Sequence, residues 1–384
     1  MPESTTLRGM TWDHSRGFTP MAATAQRFHE LNPHVDIQWS KRSLQEFADQ
    51  PLAVLAEQFD LLVIDHPWAG FAARSGVILP LEQHLPADFL ADQAKHSVGH
   101  SHASYEFDGS QWALAIDAAT PVSAHRKDLL ERAGATVPTT WDEMITLGRK
   151  GLVCCPSIPL DTLCNFLNLL ASTGSPLFAN PDEVTTREAG LATLERLKEL
   201  ASVVPAEFFS LNPIRTCEAM TRTDRHAYCP FTYGYSNYAR PGYAANILNF
   251  GGIVTVTPGH SPSTMLGGTG LAISSRCRHP EIAVEYARFV ASPETQRGLY
   301  FESGGQPGHR SAWLCDHVNA ASSNYFKDTL PTLDAAFVRP RHAGFLHFQD
   351  HAGDPIHDFL RNGGPPEKVL DALDSLYRES FHAR

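Results

Sequence analysis

The stretch DLLVIDHPWAG, residues 60–70, most constrains how this chain can fold. Leu61, Leu62, Val63 and Ile64 put an apolar side chain on both faces of an extended segment, because successive residues of a strand point to opposite sides. A strand that is apolar on both faces needs cover on both faces. That is the mark of a central strand in a parallel sheet with helices on each side. The apolar run then stops abruptly at Asp65-His66, and an earlier run, LRGMTWDH, stops in the same way at Asp13-His14.

The flanking segments supply the helices. GMTWD predicts a short strand, and PMAATAQRFHELNP an amphipathic helix with Met21, Ala25, Phe28 and Leu31 on one face, ended by Asn32-Pro33. VDIQWS predicts a second strand, SLQEFADQPLAVLAEQ helical turns, and LPLEQHLPADFLADQ a loop and helix. Asp108-Gly109 marks a hairpin. ALAID and PVSAHR predict two more strands, and Thr139 or Thr140 a cap for the helix that carries Asp142 and Glu143 in its first turn. Residues 157–230 are mostly helical in pattern. The strand-like AYCPFTYGY, IVTVTPGH and MLGGTGLAIS follow, and then further helices to the end of the sequence. A strand–helix alternation over 384 residues predicts an α/β protein of two lobes.

Composition excludes several classes. A net charge of −11 and a pI near 5.9 leave no basic stripe for nucleic acid. No run approaches the ~20 apolar residues of a membrane-spanning helix. The seven cysteines have no paired spacing and no C-x-x-C, so no disulfide framework is predicted, and Cys154-Cys155 is a buried strand end. MPESTTLRGMTWDH has neither a basic n-region nor an apolar h-region, which predicts a cytoplasmic protein from the sequence as it stands and a periplasmic one if a leader was removed. His96, His100 and His102 have a zinc-like spacing but no fourth partner, so no metal site is predicted. No dinucleotide fingerprint, phosphate loop or nucleophile elbow occurs, and no cofactor is predicted.

In the order of its segments the chain resembles the family-1 extracellular solute-binding proteins, the maltose-binding-like receptors of bacterial ABC importers. PHVDIQW and DLLVIDHPWAG are similar to the family's second and third strands. WALAIDAATPVSAHRKDLLERAGATVPTTWDEM is similar to its hinge strand and the helix start that follows. FTYGYSN resembles the aromatic segment that lines the sugar cleft, LGGTGLAISSRCRHPEIAVEYARFVASPETQ the Gly-Gly strand with its helix pair, and GGQPGHRSA the last crossover. The resemblance implies a type II periplasmic-binding-protein fold with mixed sheets, flanking helices and a ligand cleft between two lobes. By analogy, lobe one comprises residues 1–116 and 258–305, and lobe two 117–257 and 306–384, with hinge crossings near 115–120, 252–258 and 304–310.

Ligands of open α/β sheets sit beyond the carboxyl ends of the strands. That position selects Trp12, Asp13, His14, Arg16, Asp65 and His66, with Asp117 at the hinge. The resemblance adds Tyr233 and Tyr235 from the other lobe, Gly267 and Gly268 for close backbone approach, and His309 after the last crossover. Aromatic faces and carboxylates suit a small polar ligand such as a sugar. Each position also has a plain structural role open to it: Asp13 and Asp65 as helix caps, Arg16 paired with Asp13, the tyrosines as core, the glycines as a bulge. The function implied is a receptor that closes its lobes around a small polar ligand for import through an ABC permease. The alternative is a cytoplasmic lyase or hydrolase on the same fold, working through Asp13, His14, Asp65 and His66, with Cys164 and Cys229 weighed as nucleophiles.

Overall fold

The computed structural model describes residues 4–43 and 51–383. In chain order the main strands are β1 (Thr5–Trp12), β2 (Val35–Arg42), β3 (Leu61–Ile64), β4 (Leu114–Ala119), β5 (Pro121–His125), β6 (Tyr228–Tyr233), β7 (Asn249–Gly251) and β8 (Gly267–Ile273). The helices used below are α1 (Ser15–Leu31), α2 (Leu52–Gln58), α3 (Ala69–Ser75), α4 (Ala87–Lys95), α5 (Trp141–Arg149), α6 (Pro159–Ser172) and α7 (Pro280–Ala291). The part of SLQEFADQ from residue 44 to residue 50 lies outside the described residues.

The chain divides into two compact units: Met1–Ala119 with Gly267–Asn319 and Arg341–Ala343, and Thr120–Leu266 with Ala320–Pro340 and Gly344–Arg384. The chain passes between the units at 119–120, 266–267 and 319–320, and the short segment Arg341–Ala343 returns to the first unit. Residues 258–266 stay with the second unit, where Leu266 N–H donates to Phe337 O at 2.8 Å and the Thr120 and Thr264 hydroxyls meet at 2.7 Å. Residues 306–319 stay with the first, because Gly308 N–H donates to Ile116 O at 3.0 Å and the Trp313 indole to Pro307 O at 2.7 Å.

The first unit is built on a five-stranded sheet in the order β2-β1-β3-β8-β4. β1 runs parallel to β2 and β3, and β8 runs antiparallel to β3 and β4. The two-faced apolar pattern does what it implied. Leu61 and Val63 enter one core with Leu7, Leu114, Ile116, Leu271 and Ile273, while Leu62 and Ile64 enter a second with Met10, Ala113, Ala115 and Ala272. α1 and α7 cover the first face through Met21, Ala25, Phe28, Ala283, Tyr286 and Val290. α2, α3, Tyr105 and Trp112 cover the other. Leu31 is an exception to the predicted stripe. At 100° per residue it has turned about 80° from Met21, and it is 54% exposed at the last position of α1. Asp108 and Gly109 both have positive φ, 53° and 77°, as a two-residue I′ hairpin turn requires.

The second unit holds the three-stranded antiparallel sheet β6-β5-β7. α5 starts at a full capping box: Thr140 accepts from Glu143 N–H while Glu143 reaches back to the Thr140 N–H. IVTVTPGH does not form the expected strand. Thr255 instead pairs with the segment that caps α5, its N–H donating to Thr139 O at 2.8 Å, and the strand of this region falls earlier, at β7. Cys154 and Cys155 are buried beside β6, as expected of a strand end. Cys164 and Cys229 are buried too, and burial pushes the Cys229 thiol up, away from the thiolate a nucleophile needs. No helix among the described residues is long and apolar enough to cross a membrane.

Asp161, in the first turn of α6, is 5% exposed, and burial holds its carboxyl well above the usual carboxylate range. A carboxyl that keeps its proton when folded and loses it when unfolded makes the protein less stable as pH rises from the unfolded pKa, about 3.9, towards the folded one. Within that window it contributes a slope of at most about 1.4 kcal/mol per pH unit. Asp161→Asn therefore flattens the fall in stability between pH 4 and 7 and leaves the variant relatively more stable at the upper end, as urea unfolding across that range will read.

Candidate functional site

Two neighbouring strand tips and one more distant strand carry the residues of interest. β1 ends in Trp12, which is 4% exposed and packs in the core below α1. A side chain at Gly17 would come within 2.4 Å of that ring, so the first turn of α1 lies directly on it. The next residue, Asp13, leaves the sheet. Its side chain is 55% exposed and pairs with Lys41 of β2 at 2.8 Å.

His14, not Asp13, caps α1. Its backbone is extended (φ −150°, ψ 151°), and its Nδ1 accepts from Arg16 N–H at 3.0 Å. Burial pushes this imidazole down to about 4; the Arg16 charge adds to the effect and Asp13 opposes it. A neutral ring is what capping requires, since Nδ1 must keep its lone pair.

Arg16 does not pair with Asp13. It reaches Asp117 of β4, 101 residues away, with Nε donating to Oδ2 at 2.8 Å and Nη2 to Oδ1. Arg16 is 4% exposed and Asp117 1%. Burial pushes the Asp117 carboxyl up, and the doubly bonded guanidinium opposes that rise. Asp117 sits opposite Thr269 of β8, just before the register of that pairing shifts between Thr269 and Gly270. Gly268 has φ +97°, and a Cβ there would lie 2.3 Å from Asp117 O. The close backbone approach predicted for the Gly267-Gly268 pair is therefore to the neighbouring strand, beside an irregularity in the ladder.

The tip of β3 is simpler. Asp65 caps the single 3-10 turn His66–Trp68, accepting from His66 N–H at 2.8 Å, and its side chain is 22% exposed. The His66 ring is fully buried, 3.2 Å from Asp65 through Nδ1 and edge-on to Tyr105 at 6.3 Å. The Tyr105 hydroxyl in turn donates to Ile64 O at 3.1 Å, a contact across 41 residues that no local pattern signals.

In the second unit Tyr233 ends β6, opposite Pro121, and is half-buried. Tyr235 is 6% exposed and precedes the 3-10 turn Ser236–Ala239. Gly234, between them, packs so closely on Tyr325 that a Cβ would lie 2.0 Å from its hydroxyl. His309 caps the short helix Arg310–Trp313, accepting from Ser311 N–H, and its ring turns to Asp92 and His96 of the α4 region. The histidine that paired by sequence spacing with His100 and His102 thus takes different partners. A groove of about 510 Å³ lined by Thr6, Arg8, Asp60 and Arg276 lies at the other, amino ends of β1 and β3.

The four residues weighed as a catalytic set have fixed structural duties: a lysine pair, two caps and a buried ring. Comparison with known proteins agrees with the receptor reading of the fold. The family described as bacterial extracellular solute-binding protein matches residues 23–312, three quarters of the chain. The mannitol-binding protein of Pseudomonas aeruginosa is 28% identical over 129 residues, 32% of this chain and 29% of that protein, so the match spans under a third of the relative's length. Maltose-bound MalE3 of T. maritima superposes with a TM-score of 0.85 at 17% identity, over 98% of this chain and 100% of that one. An ABC transporter solute-binding protein of Agrobacterium radiobacter K84, in complex with ribitol, superposes at 0.83 and 18% identity, over 98% and 99%. The chain belongs to the bacterial extracellular solute-binding protein family, and its two α/β units have the fold of the maltose- and ribitol-bound proteins.

Breaking the Arg16–Asp117 pair from one side leaves a buried charge without its partner, which costs about 3–5 kcal/mol. Arg16→Met and Asp117→Leu should each lower the urea-unfolding free energy by that order, and the double variant should recover most of the loss. Additive losses in the double-mutant cycle would show that the two groups are not coupled.

Proposed function

We propose that this chain is a receptor for a small polyhydroxylated solute, a linear polyol or a sugar, held at the strand tips of the first unit. The observation that carries the reading is the pair of carboxylates at the ends of adjacent parallel strands: Asp13 on β1 is open to solvent, and Asp65 on β3 is partly so. Carboxylates in that position accept hydrogen bonds from hydroxyl groups and select a neutral, hydroxyl-rich partner. His14, Arg16, His66 and Asp117 hold the tips in place from behind, and Trp12 fixes where β1 ends. Tyr235, Gly267, Gly268 and His309 support their own elements.

The names of the similar proteins support the chemical class, since mannitol, ribitol and maltose are all polyhydroxylated. We propose an ABC permease as the partner that accepts the solute, and a site of action outside the cytoplasmic membrane, in keeping with the extracellular description of the family. On this reading the protein binds its solute unchanged and does no chemistry on it.

Titration calorimetry with mannitol, ribitol and maltose, paired with native mass spectrometry of the purified protein, tests the proposal. Saturable one-to-one binding of one of the three is expected. Asp65→Asn preserves the cap, because asparagine caps as well as aspartate, yet should weaken binding about tenfold, the ~1.4 kcal/mol of one charge-assisted hydrogen bond. Absence of binding to every polyol and sugar offered, or conversion of one of them to a product, would overturn the reading.

A further inference from the structure

The carboxyl end of α4 carries a cluster apart from the strand-tip residues. Asp92 and His96 lie one turn apart at the end of that helix, and His309 approaches them from the segment that follows Gly308. His96 Nδ1 is 2.8 Å from Asp92 Oδ1, and His309 Nε2 is 3.4 Å from Asp92 Oδ2. The two imidazoles are 5.1 Å apart, centroid to centroid, and tilted by 30°. One ligand atom from each of the three residues lies within 4.8 Å of the other two.

The main chain fixes the approach of the two segments. Arg310 N–H donates to His96 O at 2.7 Å, Arg310 Nε donates to Ser97 O at 2.8 Å, and Ser97 and His309 form a β-bridge. The His309 side chain is only 2% exposed, and its far nitrogen, Nδ1, is 2.8 Å from the Ser311 hydroxyl. An outer hydrogen bond of this kind is what orients a metal-binding histidine. Asp92 and His96 have side chains 41% and 36% exposed, which leaves one side of the cluster open to an ion and to water.

We propose that Asp92, His96 and His309 form a binding site for a divalent transition-metal ion of the Zn²⁺ class, with water as the fourth ligand. Two imidazoles and one carboxylate suit zinc, cobalt or nickel, whereas calcium and magnesium take oxygen ligands. Binding replaces the hydrogen bonds at His96 Nδ1 and His309 Nε2. Each neutral ring then carries its proton on the other nitrogen. For His309 that proton points at Ser311 Oγ, which accepts it, and the bond from Ser311 N–H is given up. The ion ties α4 to the segment after Gly308, so it stabilises the first unit rather than acting on a substrate.

The test uses tag-free, chelator-treated full-length protein titrated with Co²⁺, followed by displacement with Zn²⁺. Saturation at one equivalent is expected, with the intense visible absorption of four-coordinate Co²⁺, and Zn²⁺ should abolish that absorption. His96→Ala and Asp92→Asn, both at part-exposed positions, should each weaken binding by more than about 100-fold, beyond the loss from an outer-sphere change. Zn²⁺ should raise the thermal unfolding midpoint of the parent and of neither variant. His351→Ala removes a member of the exposed histidine pair His347–His351, whose rings are 4.6 Å apart, and should change nothing. No saturable binding at one equivalent would overturn the proposal, as would binding that survives His96→Ala and Asp92→Asn or that disappears with His351→Ala.

Discussion

The first unit turns on a buried ion pair between the first turn of α1 and the inner edge of β4. Neither Arg16 nor Asp117 is tolerable in its place without the other, because a lone charge at 4% or 1% exposure has no water to solvate it. The pair therefore dictates where α1 can start relative to a strand three places across the sheet from β1. Once α1 is fixed, Gly17 must rest on the Trp12 indole, Trp12 must close the core, and the chain between them must leave the sheet at Asp13 and turn at His14. The position of the β1 tip follows from those contacts and needs no strain in the tip itself.

Most of the sheet was legible in the sequence because a two-faced apolar strand has few environments open to it. LLVI could be placed centrally from its pattern alone, and the two cores that receive its alternate residues bear this out. Turn and cap chemistry was equally local, as with Asp108-Gly109 and the Thr140–Glu143 box. What stayed hidden was whatever depends on a distant partner. No spacing rule joins residue 16 to residue 117, or residue 96 to residue 309, so a local reading offers Arg16 only a ligand group or its acidic neighbour Asp13, and His96 only its histidine neighbours. The capping role open to Asp13 falls to its neighbour for a subtler reason. Asp13 and His14 both precede the helix, and the difference lies in which of them is held in extended geometry with a side-chain acceptor over the free N–H groups. Aspartate has the stronger statistical preference, but here Asp13 is drawn outward by Lys41 on the neighbouring strand.

These contacts also bear on what the strand tips can do. An acid–base pair for catalysis needs groups whose protonation changes near the working pH. His14 is held neutral down to about 4 by burial, with its acceptor nitrogen committed to the helix, and the His66 ring is sealed in the core beside Tyr105. His14 cannot take up and return a proton without giving up the cap, and the His66 ring is wholly buried. The carboxylates at the same tips are differently placed. Asp13 keeps more than half its side-chain surface exposed beside Lys41, and Asp65 keeps part of its own while using one oxygen on the His66 N–H. A His14 ring held neutral and committed to a cap, a His66 ring buried in the core and outward-facing carboxylates are poorly arranged for proton transfer. The proposed receptor role asks of those carboxylates only that they accept hydrogen bonds from a neutral, hydroxyl-bearing solute.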